Sequence, residues 1–327
     1  MSTRLALACG ALAAVVLAVA GDQWWPSQPV TPLISAGPEP IAVAPPTAGS
    51  SSGQAPAAPG CNPRASLRPQ GPLPVPGQMP AGSAMARIAQ RGFLIAGIDQ
   101  DIHQFAFRDE NLRLEGFDID VVRDIAEAIF GDRERVVFRS LTETERLETA
   151  RSDRVDLVVA TFTITCQRRE KVAFSTAYYE AGQRVLVNRG SAVAGLGDLG
   201  GKRVCAGLGT TSLGKILAAT PKLIAVGVPT PTECLVMLQL GEVDAISTDD
   251  TLLAGMAAQD PQTEIIGPRL TEEPYGVAVK KDNPDLVRFV NAVLEQRAQD
   301  GRWGASYEHW LKRLGPPPAP PTPQYQD

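Results

Sequence analysis

At 327 residues, 44% apolar and 20% charged, the chain has material for about two globular domains. A formal net charge of −5 with no Lys/Arg-rich block excludes nucleic acid as the main partner. Two histidines and five cysteines, with no CxxC or Cys/His zinc spacing, argue against a metal site, and no cofactor is expected.

Arg4 precedes an apolar run from Leu5 to Ala20, the layout of an export signal. Three attachments fit it. Ala18-Val19-Ala20 is a small-residue cleavage site. Cys9 after Ala6-Leu7-Ala8 has the form of an acylation box, although only four apolar residues precede it. An uncleaved anchor would place Trp24-Trp25 at the membrane interface. The leader is thus residues 1–21, as signal peptide or anchor. Residues 22–83 are Pro, Ala, Gly and Ser with few large apolar side chains, which predicts a disordered or polyproline-like tether. Cys61 within it is a point where the tether can be stapled to the body.

Order is expected from near Met85, with a short helix Ala86–Gln90 stopped by Gly92 and a strand Phe93–Ile98 ending at Asp99. Phe117, Val121, Val122, Ile125, Ala126 and Ile129 recur at helical spacing up to Gly131. A strand over 135–139, a helix over 143–151 and a buried strand Val155–Ala160 follow. This βαβα alternation predicts a mainly parallel sheet, with ligands at the carboxyl ends of its strands. There lies Thr161-Phe162-Thr163-Ile164-Thr165-Cys166-Gln167-Arg168, whose N–H groups, hydroxyls and guanidinium can grip a carboxylate. Arg184–Asn188 reads as a strand leaving the first unit, and Lys202–Ala206 opens a second. The turn Gly207-Leu208-Gly209-Thr210-Thr211-Ser212 is anion-friendly, but lacks the GK[ST] end of a P-loop. Strands at 223–228 and 243–248 flank a helix at 232–240, the second strand ending in Asp249-Asp250, and a helix runs from Leu252 to Gln259. Tyr275–Val279 is extended, helices Pro284–Asp300 and Trp303–Leu314 close the fold, and a Pro-rich tail follows, ordered only if it docks.

Five of these segments, in this order, carry a family resemblance: Gly116-Phe117-Asp118-Ile119-Asp120; Val155-Asp156 through Arg168 with Phe174-Ser175; Gly209-Thr210-Thr211-Ser212; Val243-Asp244 through Asp250; and the Trp303–Leu311 helix. Over roughly residues 85–315 the chain resembles the amino-acid-binding (family 3) extracytoplasmic solute-binding proteins of ABC importers. Asp249-Asp250-Thr251-Leu252-Leu253-Ala254-Gly255 looks like the aspartate/glutamate-binding members. The Pro-rich arm and cysteine set look like actinobacterial glutamine-binding-type lipoproteins linked to a serine/threonine-kinase nutrient-sensing pathway. The resemblance implies an α/β, two-lobe, type II periplasmic-binding-protein-like fold with the ligand in the cleft. Lobe 1 would be 84–188 plus 280–315, lobe 2 would be 189–279, and 316–327 a tail. Two hinge segments would lie near Arg184–Asn188 and Tyr275–Val279.

Site roles follow from the same resemblance. The α-carboxylate Arg falls on Arg168, helped by Thr163 and the backbone at Thr161, and the second-lobe Thr falls on Thr211. The α-ammonium Asp falls on Asp249, and the side-chain-carboxylate Arg of acidic-ligand members falls on Arg146. Asp99 stands where some of those members carry an Arg. Read without the family, Asp249 equally caps the next helix, and Arg146 equally lies on a solvated face among Glu143, Glu145 and Glu148. Cys205 and Cys234 share a lobe and are paired, leaving Cys61 with Cys166. The implied function is a monomeric receptor for aspartate or glutamate, with asparagine and glutamine next, and not an enzyme. It would sit at the outer face of the cytoplasmic membrane, attached through its N-terminus, and meet an ABC permease or a membrane sensor. The alternative is a dehydratase on the same fold, with His103 and Asp99 as its acids.

Overall fold

The computed structural model describes residues 41–42 and 60–327. The leader 1–21 with Cys9, and most of the tether, lie outside the described residues. Two sheets organise the rest. The first has five strands in the order Val136–Ser140, Leu94–Ile98, Leu157–Val158, Glu273–Val279, Ala173–Ala181. Its first three strands are parallel, Glu273–Val279 runs antiparallel to them, and Ala173–Ala181 runs antiparallel to Glu273–Val279. The second has six, in the order Ile41–Ala42, Ile224–Val228, Arg203–Gly207, Ala245–Asp249, Gln183–Asn188, Thr263–Ile266. The middle strands are again parallel, and the edge pairs antiparallel.

The helices form where periodicity and caps agree. Phe117–Phe130 buries Phe117, Val121, Val122, Ile125 and Ile129 against the first sheet and stops at Gly131, which turns left-handed. Each such side chain contributes roughly 1.5–3 kcal/mol when fully buried, so this face fixes the helix to lobe 1. Pro284–Gln299 and Arg302–Trp310 close over the same core through Val287, Val290, Trp303 and Tyr307. In lobe 2, Thr211–Leu217 and Pro231–Gln239 cover opposite faces of the second sheet, one over Val204 and Ala245, the other over Cys205 and Ile246.

Sheet membership corrects the expected lobe boundaries. Gln183–Asn188 hydrogen-bonds within the second sheet, so it belongs to lobe 2 and not to the first lobe. Glu273–Val279 pairs within the first sheet, so it belongs to lobe 1. The outward crossing is therefore Gly182, and the return falls between Ile266 and Glu273. A side chain at Gly182 would collide, since a Cβ there would stand 2.6 Å from Arg269 Cδ and 2.8 Å from the Thr271 carbonyl. The two crossings lie against each other and leave no room beyond glycine.

The tether also differs from expectation. From Gly60 it packs on lobe 1, with Leu67, Leu73 and Met79 against the main core. Ala65–Ser66 pairs in parallel with Gln324–Tyr325, so arm and tail dock together. Asn291 fastens them. Its amide donates to Ser66 Oγ (2.9 Å) and the Leu67 carbonyl (2.7 Å), and its oxygen accepts from the Thr176 N–H (2.8 Å). Composition predicts disorder because it counts apolar residues. It does not see three of them, an asparagine and a disulfide acting on the same short stretch. The disulfides are Cys61–Cys166 and Cys205–Cys234.

Candidate functional site

The carboxyl ends of the two sheets face each other across the cleft, and the residues gathered there come from short turns. Leu157–Val158 leads into Thr161, whose φ of +44° is rare for a β-branched residue. Asp118 holds that turn. Its Oδ2 accepts the Thr161 N–H (2.8 Å) and its Oδ1 the Tyr178 hydroxyl (2.8 Å). The backbone N–H of Thr161 is thus already engaged, which corrects the expectation that it helps hold a carboxylate. Thr165 then caps the four-residue helix Cys166–Arg169, accepting from the Arg168 N–H at 3.1 Å.

Arg168 leaves this helix toward the cleft. It donates to the Thr163 carbonyl (2.7 Å) in its own lobe and to the Gly209 carbonyl (3.2 Å) in the other. Arg146, expected either as a ligand residue or on a solvated face, is buried. It donates to the carbonyls of Ala160 (2.8 Å) and Glu143 (3.3 Å). Both guanidinium groups lie over one ring, Phe162, at 4.5 and 5.0 Å. Cation–π attraction to a shared ring offsets part of their mutual repulsion. Burial, then the Arg146 charge, lowers Arg168 to about 9.

Lobe 2 supplies the opposite charge. Asp249 ends the strand Ala245–Asp249 and is the N-cap residue of Asp250–Gln259, yet its side chain makes no cap hydrogen bond. It accepts instead from the Tyr275 hydroxyl (2.6 Å) and from Ser212 Oγ (3.4 Å). Burial, with Glu273 next, pushes Asp249 up to about 8. Thr211 donates its hydroxyl to Glu273 Oε2 (2.8 Å), a bond between the lobes. Asp99 lies at the end of Leu94–Ile98, buried, and is pushed up to about 6 by burial against the pull of Arg146.

Arg146, Thr161, Thr163, Arg168, Thr211 and Asp249 line one cavity, joined by Glu143, Thr210, Ser212, Thr248 and Leu252. Asp99 is not among its walls, although its charge is felt by Glu143 and Asp118. His103 is also elsewhere, with its ring on Phe107 at 4.8 Å and its backbone against Gly255. The lobes are closed. About 10 Å³ remains in the cavity, room for about one water, so a larger guest enters only when they part.

Glu143, Glu273, Tyr275 and Asp118 are site residues that the sequence reading gave no ligand-contacting role. Asp118 lies in the Gly-Phe-Asp turn, so a signal was present. Glu143 reads as one of three glutamates near Arg146, and the face each takes depends on where the helix starts. It begins at Arg146, leaving Glu143 in the preceding turn, aimed inward.

Comparison with known proteins fits this geometry. The family of bacterial extracellular solute-binding proteins, family 3, matches residues 94–313. The ABC transporter glutamine-binding protein GlnH of Bacillus subtilis is 35% identical over 230 residues, covering 70% of this chain and 84% of that protein. The glutamate-binding protein GluB of Corynebacterium efficiens is 28% identical over 237 residues, covering 69% and 81%. Among solved structures, the cysteine-binding protein from Campylobacter jejuni aligns with a TM-score of 0.67 at 28% identity, covering 70% of this chain and 93% of that one. A mutant of ArgBP from T. maritima aligns with a TM-score of 0.65 at 29% identity, covering 70% and 99%. With two lobes, two crossings and a charged cleft between them, the chain belongs to the family 3 extracellular solute-binding proteins, with their two-lobe type II fold.

Proposed function

We propose that this protein captures a polar α-amino acid outside the cytoplasm and delivers it to an ABC importer. The observation that carries this reading is one cavity lined by a guanidinium from one lobe, Arg168, and a carboxyl group from the other, Asp249. An α-amino acid is a zwitterion of matching polarity. Its carboxylate would take Arg168 with the hydroxyls of Thr163 and Thr211, and its ammonium would take Asp249. Because the partners sit on different lobes, a bound ligand favours the closed state, a hinge mechanism. Charge-assisted hydrogen bonds contribute about 1.5–3 kcal/mol each. Four of them, less the cost of association, support micromolar affinity, about −8 kcal/mol.

The side chain would face Arg146 and Glu143, which suits a carboxylate or carboxamide end: aspartate, glutamate, asparagine or glutamine. Relatives named for glutamine and glutamate support the same class. Isothermal titration of the purified protein with each of the twenty amino acids tests the reading. Heat from one or more of these four is expected. Silence across the set would refute it.

A further inference from the structure

Glu143 stands in the cleft without an assigned role. Its side chain is buried, and the Oε1 atom lies 3.5 Å from Arg146 Nη2. The other oxygen, Oε2, is buried and has no hydrogen-bond partner. This atom reaches from lobe 1 to the end of the strand Arg203–Gly207 in lobe 2. A Cβ placed on Gly207 would lie 1.5 Å from it, so only glycine admits the carboxylate there. A buried acceptor left open is costly, and in a binding cleft it marks where a donor belongs.

Arg146 is the cation available to the ligand's side chain. Two of its N–H groups serve backbone carbonyls, and its charge already faces Glu143. A carboxylate side chain would bring another negative charge against Glu143. A cationic one would meet Arg146. A carboxamide satisfies both, its oxygen accepting from Arg146 and its NH₂ donating to Glu143 Oε2. We propose that Glu143 sets the selectivity of this cleft, admitting amino acids with a carboxamide side chain over those with a carboxylate. The proposal rests on the receptor reading above and names its ligand more narrowly.

The test is titration of glutamine, asparagine, glutamate, aspartate and arginine into the wild type, Glu143→Gln and Glu143→Ser at pH 8. That pH lies above the value of about 7 to which burial pushes Glu143, with Arg146 and Arg168 opposing and Asp99 adding to the rise. The wild type is expected to bind an amide at least about tenfold tighter than its acid, the least that like charges in a desolvated site would cost. Both variants, with wild-type melting curves, should narrow that ratio by about tenfold, chiefly by tightening the acid. A wild type that prefers an acid or arginine overturns the proposal while leaving the receptor reading intact. So does an amide-to-acid ratio that neither variant moves. No binding of any amino acid overturns both.

Discussion

Replacing Arg168 by alanine removes a cation that touches both lobes. A guanidinium has five N–H donors. In the closed structure one serves the Thr163 carbonyl and one the Gly209 carbonyl, which leaves three for a ligand carboxylate. Two charge-assisted bonds to that carboxylate come to about 3–6 kcal/mol. Their loss lowers affinity by a factor on the order of 10² to 10⁴. Fold stability should change little. The lost hydrogen bonds are offset by relief from burying a charge beside Arg146, the two effects that lower the Arg168 pKa. Arg168→Lys should recover only part of the affinity, because an ammonium cannot grip two oxygens in one plane. Titration calorimetry reads the affinity and a thermal melt reads the fold. A natively folded Arg168→Ala protein within tenfold of wild-type affinity would refute the assignment of this residue.

The empty cleft should open as pH rises. Closure buries Glu143 and Asp249, lifting them from ordinary values of 4.5 and 3.8 to about 7 and about 8. Protonated acids therefore favour the closed form, fully below about pH 4 and decreasingly as pH climbs through those raised values. Small-angle scattering of the ligand-free protein should show a larger radius of gyration near pH 8.5 than near pH 5, and an invariant radius would refute this. Replacing Cys205 and Cys234 by serine should destabilise lobe 2 by about 3 kcal/mol in urea unfolding, since the bridge closes a 29-residue separation. An unchanged midpoint would contradict the linkage. Asn291→Ala strands the buried Thr176 N–H and frees the arm from Ser66 and Leu67. At about 1–3 kcal/mol per unsatisfied buried group, the arm should become cleavable by protease near residues 60–70 while the lobes stay intact.

Local pattern was legible in the sequence wherever one face of an element decides its burial. The helix from Phe117 to Gly131 and the strands into Thr161 and Asp249 fall where periodicity and punctuation put them. Sheet membership was less legible. Gln183–Asn188 and Glu273–Val279 read as buried strands that either sheet could take, and their allegiance is set by the crossings at Gly182 and between Ile266 and Glu273. Periodicity carries no information about those crossings. Side-chain direction at short helices was also out of reach. Starting its helix at Arg146 turns Glu143 into the cleft, and a start three residues earlier would have left it on the helix itself.

The arm shows why such local features matter to the site. Cys166–Arg169 has four residues, too few for a helix that stands by its own hydrogen bonds. Something outside it must fix the direction of Arg168. Thr165 fixes one end through its cap. The Cys61 bridge seizes the first residue, and Arg169 donates to the arm carbonyls of Pro63 and Ala65. The arm is in turn held by Ser66, whose hydroxyl donates to the Phe174 carbonyl at 2.7 Å, and by Asn291 in the long closing helix. A segment that composition reads as a spacer is therefore part of the frame aiming the candidate carboxylate ligand. The chain of support runs from the core of lobe 1, through the arm and a disulfide, to a guanidinium that reaches the other lobe.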